Sequence, residues 1–404
     1  MIDFRSNFPI FDKFKEPSLA YLDSAASTQK PQQVIEAITN FYSSEYSNIH
    51  RGAYRLSSNA TDNYEAVRFK VKDLINSESH KNIIFTRGAT EAINLVANSF
   101  ENYFEEGDVI LISTLEHHSN IVPWQLLAER KKLKIKFIDI DENAELILSD
   151  YEKKLQKFQP KLVAITYISN AFGTITPIKD IINKAHRSNA VVLVDIAQAV
   201  AHKKIDVQEM GVDFAVFSGH KLYGPTGVGV LYAKKQHLDL MQPFMGGGDM
   251  ISYVGKEGSQ WAEIPAKFEA GTPPIAEVIG LGAAIDFVNN IGFENIREVE
   301  TNLIKDGLSF LSEYKEVTIY GPKDLSNRGS VISFNFSGVH PHDLATIADS
   351  FNVQIRAGFH CAMPALHAIN LSATARISFG VYSLKQDLIQ LGQALNKARS
   401  LFHP

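Results

Sequence analysis

Two apolar runs in this chain end on polar groups that complement one another. Val191-Val192-Leu193-Val194 stops at Asp195-Ile196-Ala197-Gln198, and Val212-Asp213-Phe214-Ala215-Val216-Phe217 stops at Ser218-Gly219-His220-Lys221. One strand end therefore offers a carboxylate and an amide. Another offers a lysine beside a hydroxyl and an imidazole. Pyridoxal phosphate needs that set: an amine for its aldehyde, an acid that keeps a pyridine nitrogen protonated, and donors for a phosphate and a ring hydroxyl. Each group alone has a plainer reading. Asp195 suits a helix cap, and a lone lysine is most often a surface charge. A carboxylate closing a wholly apolar run is costly to bury without a cationic partner, however, and the ends occur together.

Other predicted strand ends extend the inventory. Ile83–Thr86 runs into Arg87-Gly88-Ala89-Thr90-Glu91, where Thr90 opens a helix; that place serves either a phosphate or a simple cap. Val109–Ser113 runs into Glu116-His117-His118. An imidazole there can stack on an aromatic ring, whereas adjacent histidines on extended chain point opposite ways and make a poor metal site. Leu162–Ile168 ends at Ser169-Asn170, and Asn170 alone is equally a turn residue. Farther on, Arg356-Ala357-Gly358-Phe359-His360-Cys361-Ala362-Met363-Pro364 places a cysteine on a tight loop. His360 and Arg356 would make its surroundings positive and favour thiolate, although a lone cysteine is commonly just a small buried hydrophobe. Arg376, fifteen residues on, suits a bidentate grip on a carboxylate. Gly224-Pro225-Thr226-Gly227-Val228-Gly229 lacks the helix of a dinucleotide loop, and Gly246-Gly247-Gly248 lacks the lysine of a P-loop.

These residues need a scaffold that brings strand ends together. From about 21 to 290, short β-branched runs alternate with helical periods, which predicts an α/β fold with a mostly parallel sheet covered on both faces. Gly229–Tyr232 follows its predecessor too closely for a helical crossover and is expected to be antiparallel. After a long helix at Val278–Asn290 the order changes. A helix at 294–313, strands Val317–Tyr320, Ser330–Phe336 and Val353–Arg356, a helix at 341–350 and a last helix from Lys385 to Phe402 predict a smaller α+β unit. The expected division is an arm over 1–20 packing with the small domain, a large cofactor-binding domain over 21–293 and a small C-terminal domain over 294–404 that carries Cys361.

The whole has 404 residues and a net charge of -5, with no basic cluster suited to nucleic acid. Met1-Ile2-Asp3-Phe4-Arg5 lacks a charged and then apolar leader, and no apolar stretch suggests a membrane span. The single cysteine excludes an internal disulfide and points to a reducing cytoplasm.

Nearly the whole chain resembles the pyridoxal-phosphate-dependent cysteine desulfurases of aminotransferase class V, most closely group II of the Suf type. The likeness runs through Tyr21-Leu22-Asp23-Ser24-Ala25-Ala26, Asn48-Ile49-His50-Arg51-Gly52, Arg87–Ala97, Glu116–Trp124, Ser218–Gly227, Phe268–Pro273 and Arg356–Pro364. Arg-x-Gly-x-His-Cys on a short connection is the group II mark. The resemblance implies the fold type I architecture: a large domain with a seven-stranded sheet and a smaller α+β domain. It also implies that Lys221 takes the cofactor's aldehyde, His117 stacks on its ring, Asp195 pairs with the pyridine nitrogen and Gln198 bonds the ring oxygen. Thr90, Ser218 and His220 are expected on the phosphate, joined by Thr272 from a second subunit of a homodimer. Asn170 and Arg376, with Arg356 and His50, are expected on the substrate, and no metal is implied.

The implied reaction converts L-cysteine to L-alanine and leaves a persulfide on Cys361, for a small Suf-type acceptor and iron–sulfur cluster assembly. Alternatives are a selenocysteine or cysteine-sulfinate lyase on the same site, a kynureninase or aminotransferase relative, and a catalytically silent assembly scaffold. Ala89, Ile196, Phe359 and Pro273-Pro274-Ile275 depart from the usual pattern, which usually has Thr, Gly, His or Gln, and Pro-Asn there.

Overall fold

A computed structural model describes residues 4–14 and 18–402. Strand β1 (Ala20–Tyr21) precedes the main sheet, which is built from β2 (Ile83–Thr86), β3 (Val109–Ser113), β4 (Lys134–Ile138), β5 (Leu162–Thr166), β6 (Val191–Asp195), β7 (Phe214–Ser218) and β8 (Gly229–Ala233). Its seven strands lie in the order β2-β8-β7-β6-β5-β3-β4. Neighbours from β7 to β4 pair in parallel, and β8 alone runs antiparallel to both its neighbours. β3, β5, β6 and β7 are buried along their whole length, which explains their unbroken apolar sequences. Because the strands are parallel, the ends carrying Ser113, Thr166, Asp195 and Ser218 open on one edge of the sheet.

β8 must pass very close to the start of helix 89–99. A Cβ on Gly229 would lie 2.4 Å from the Cα of Gly88, so only glycine fits at this strand crossing. Helix 275–291 is mostly apolar and largely buried, with Gly280 and Gly282 admitting Ile38 of helix 32–40 and Val67 of helix 55–74. The sequence places the latter helix at 63–75. It begins earlier, at Arg55, because its buried stripe opens with the small residues Ser57 and Ala60 before Tyr64, Val67 and Val71. At Gly292 the chain turns by 78° into helix 293–312.

Beyond a two-stranded hairpin, β9 (Ile251–Val254) and β10 (Ser259–Trp261), a second sheet takes shape. It comprises β11 (Val317–Tyr320), β12 (Val331–Phe336), β14 (Arg356–Gly358) and β15 (Thr374–Ser378), in the order β11-β12-β15-β14. The expected strand Val353–Arg356 is in fact two: β13 (Val353–Gln354) pairs with β1, and β14 pairs with β15. β15 escaped the sequence reading because only Ala375 and Ile377 of Thr-Ala-Arg-Ile-Ser are apolar, yet all five residues are buried. Helices 293–312, 341–349 and 385–402 cover this sheet with a core of its own that includes Leu303, Ile332, Phe334, Ile377 and Leu391.

The N-terminal arm touches both cores. Arg5 pairs with Asp387 and bonds the carbonyl of Tyr382, while Phe8 packs edge-on against Phe287 and Tyr382. Among the described residues no single helix is long and apolar enough to cross a membrane.

Candidate active site

A cavity of about 150 Å³ opens at the carboxyl edge of the main sheet. Lys221, Asp195, His117, Thr90, Ser218, His220, Asn170, Arg356, Cys361 and Arg376 all line it. Ten of the residues singled out from sequence therefore meet in one place, drawn from both sheets.

Lys221 sits on a 3-10 turn after β7. The carbonyl of His220, immediately before it, accepts four donors: the Thr28 N–H at 3.1 Å, Thr28 Oγ1 at 3.1 Å, Ser27 Oγ at 3.3 Å and Lys30 Nζ at 3.0 Å. This clamp fixes the peptide that presents the lysine. Burial pushes the Lys221 amine below its usual value, against the opposing pull of the Asp195 charge. More of it is then the free base, the form that can attack a carbonyl.

Asp195 closes β6 and accepts the Ala197 N–H at 2.8 Å. Burial raises its carboxyl and the nearby Lys221 charge lowers it, with burial the larger effect. A cation facing this carboxylate would therefore be strongly favoured. Gln198 behaves differently. It is buried, does not line the cavity, and donates Nε2 to the Ala25 carbonyl at 2.6 Å.

His117 follows β3. Its Nδ1 accepts the Ser119 N–H at 3.1 Å, so in the neutral ring Nε2 carries the proton. Burial, reinforced by the charge on Lys221, pushes His117 down to about 3, so the ring is an uncharged planar surface at neutral pH. Beneath it, Glu116 is fully buried and accepts Asn120 Nδ2 at 2.6 Å and the Thr166 N–H at 2.8 Å. Those bonds tie the turn carrying His117 to β5.

The phosphate candidates cluster at the start of helix 89–99. Ser218 Oγ accepts the Ala89 N–H at 2.8 Å, which leaves its own hydroxyl proton free to donate. Thr90 is exposed on the first turn. Burial lowers His220 to about 4, so that ring too is neutral.

The other wall belongs to the second sheet. Arg376 on β15 is 2 % exposed; Nη1 donates to the Asn170 carbonyl at 2.9 Å and Nη2 to Asp23 Oδ1 at 2.9 Å. Its Nε is buried without a partner. Arg356 Nε reaches the other oxygen, Asp23 Oδ2, at 3.2 Å. Asp23 thus holds two guanidinium groups at the rim. It follows Ala20-Tyr21-Leu22, so the logic that singled out Asp195 would have found it: a carboxylate closing a short apolar run.

Cys361 is half-buried beside His360. The positive surroundings expected from His360 are not supplied by that residue. Burial and the nearby Arg376 charge push it down to about 2, leaving it neutral. The two arginines are the cations of this wall. His118, second of the histidine pair, stands outside the cavity; burial lowers it as well, which keeps a ring nitrogen available as an acceptor.

Besides Gln198, two expected residues are not brought to the cavity within one chain. Thr272 is exposed elsewhere. His50 pairs its Nε2 with Glu65 at 3.3 Å and stands edge-on to Tyr64.

The donor set fits pyridoxal phosphate. A partly deprotonated lysine, a buried carboxylate wanting a cation, a neutral imidazole face and free hydroxyl donors at a helix start match the parts of that molecule. Arg376 Nε, a buried donor without an acceptor, fits a substrate carboxylate.

Comparison with known proteins agrees. A family model described as aminotransferase class-V matches residues 20–391. A protein of Halalkalibacterium halodurans named as a probable cysteine desulfurase is 47% identical over 98% of this chain and 97% of its own. Among solved structures, the apo cysteine desulfurase of Thermococcus onnurineus superposes with a TM-score of 0.92 at 38% identity, covering 98% of this chain and 97% of the other. The cysteine desulfurase CsdA of Escherichia coli, in an S-sulfonic acid form, gives 0.91 at 35% identity over 99% and 98%. With a family model over residues 20–391 and relatives that span its length, this chain belongs to the aminotransferase class-V family.

Proposed function

We propose that the chain is a pyridoxal-phosphate-dependent cysteine desulfurase that converts L-cysteine to L-alanine and takes the sulfur onto Cys361. The observation that carries this reading is that Lys221, Asp195, Arg376 and the only thiol line one cavity. Without Cys361 the same pocket would suit transamination.

Lys221 is the residue that holds the cofactor, with Asp195 on its ring nitrogen, His117 against its ring face, and Ser218, His220 and Thr90 on its phosphate. Bound there, pyridoxal phosphate supplies an electrophilic aldehyde carbon and an electron-accepting ring. Gln198 holds the Ala25 carbonyl with one amide hydrogen and is read as offering the other to the ring oxygen.

Arg376 and Asn170 orient the substrate by its carboxylate, with Arg356 at the rim. Lys221 Nζ, its basicity lowered by burial, takes and returns the α-proton. The Cys361 thiolate attacks the substrate sulfur. The carbon–sulfur bond breaks, its electron pair stays with carbon, and a proton completes the methyl group of alanine. The enzyme is left as a persulfide.

We read the chain as a homodimer, in which Thr272 reaches the partner's phosphate site and His50 the partner's substrate. Exposure of Thr272 and the outward placing of His50 support this. The boundary at 293/294 is supported by the turn at Gly292 and by separate cores, and it sets Lys221 and Cys361 in different domains. Cys361 lies on a short segment between β14 and helix 363–368, so its sulfur stays near the cavity mouth and a small acceptor protein of the Suf kind must come to it. A lone thiol that must stay reduced to work suits the cytoplasm.

The test is release of alanine and sulfide in equal amounts from L-cysteine by the cofactor-loaded protein, with selenocysteine in parallel. Cleavage of selenocysteine alone would replace this reading with that of a selenocysteine lyase.

A further inference from the structure

His360 (φ 51°) and Cys361 (φ 55°) are consecutive non-glycine residues in the left-handed region. Side-chain-bearing residues persist there only where their surroundings hold them. Two bonds do so, one to the carbonyl of each strained residue. Asn170 Nδ2 donates to the His360 carbonyl at 2.6 Å. The backbone N–H of His118 donates to the Cys361 carbonyl at 2.7 Å.

His118 then grips the same segment with its side chain. Its Nε2 accepts the Met363 N–H at 3.1 Å, one of the free amides that open helix 363–368. Its ring stacks on Phe359, with centroids 5.9 Å apart and planes 29° apart. The imidazole thus touches the segment on both sides of the cysteine. His117 does not need this contact, because Ser119 fixes its ring.

We propose that His118 is a positioning residue whose side chain holds Cys361 in its strained, cavity-facing conformation and so sets how freely the thiol can leave the pocket. Of the two tethers, Asn170 lines the cavity and divides its two amide hydrogens between the His360 carbonyl and a substrate carboxylate. His118 lies outside. It is the fixed hinge pin of the cysteine segment, set next in sequence to the histidine that faces the cofactor. The inference rests on Cys361 as the sulfur acceptor for its consequence, but its geometry can be tested without any turnover.

Cys361 is the only thiol in the chain, so alkylation reports on it alone. The experiment measures iodoacetamide alkylation of the cofactor-loaded protein, together with alanine release in a single turnover. His118→Ala should raise the alkylation rate about tenfold, equivalent to about 1.4 kcal/mol of lost restraint. It should slow single-turnover alanine release while the cofactor's visible absorbance stays unchanged. His118→Gln, which can offer Oε1 to the Met363 N–H, should restore most of both. Phe359→Ala, which removes only the stack, should give a smaller rise. Equal alkylation rates in wild type and His118→Ala overturn the proposal. Should His118→Ala fail to hold cofactor, the comparison passes to Phe359→Ala, whose unchanged rate overturns it equally. Sulfide release from cysteine at the wild-type rate by Cys361→Ser would instead defeat the desulfurase reading and leave the alkylation result standing.

Discussion

Asp23 and Arg376, separated by 353 positions in sequence, meet at 2.9 Å through Oδ1 and Nη2. The other oxygen of Asp23 holds Arg356, so one carboxylate fixes two guanidinium groups at the substrate end of the cavity. Asp23 touches no reacting atom on this reading. It aims Arg376, whose Nε is buried without a partner.

Asp23→Asn should therefore weaken substrate binding more than chemistry. We expect KM for cysteine to rise about tenfold, near the lower end of a charged hydrogen bond, with a smaller change in kcat. Cofactor absorbance should stay normal. An unchanged or lower KM would show that Arg376 needs no such support.

Lys221→Ala should abolish covalent attachment of the cofactor. Borohydride treatment followed by mass spectrometry reads this directly: wild type should carry the added mass on the peptide containing Lys221. An adduct of equal yield in the variant would place attachment elsewhere.

Cys361→Ser should keep the cofactor and its spectral response to added cysteine but hold no sulfur afterwards. Because the chain has no other thiol, full desulfurase turnover by the variant sinks the assignment.

Burial pushes Lys30 down to about 7, whereas an unfolded lysine stays near about 10.4. Between these values the unfolded chain binds a proton that the folded chain does not, so through this group stability rises with pH across that window. Below about pH 7 both states are charged and the cost of burying the ammonium is present in full. Relative to wild type, Lys30→Met should be at its most stable near about pH 6, losing that advantage as pH rises to about 10. Thermal melts across the range check this, and a constant difference contradicts it.

Gly229→Ala would drive a methyl group into the backbone of Gly88. We expect a loss of about 1–3 kcal/mol in stability. Cofactor retention should also weaken, because the displaced segment opens the phosphate end of the cavity. Normal melting and normal cofactor content would show that the crossing has slack.

Legibility from sequence tracked burial pattern. The inner strands β3, β5, β6 and β7 announce themselves as apolar runs, and their polar ends gave Lys221, Asp195, His117 and Asn170. β15 did not, since its interior faces carry threonine, arginine and serine held by tertiary bonds. Lys30 and His118 stayed invisible as parts of the site for a related reason. Their roles depend on partners 190 and 245 positions away, through contacts that no local spacing encodes. His50 and Thr272 were legible only through resemblance, and a single chain leaves them outside the cavity.

β1 pairs in parallel with β13, and Asp23 bridges to Ser378 just beyond. During synthesis the first of these segments leaves the ribosome long before the second exists. At about 5–20 residues per second the wait is on the order of tens of seconds. Through that interval Phe8, Leu19, Ala20 and Leu22, all buried in the finished protein, have no complete surface to dock on. A nascent chain that has already laid down the main sheet and Lys221 still lacks its arginine, its thiol and the partner of its first strand. Competence arrives only once β13, β14 and β15 have been made.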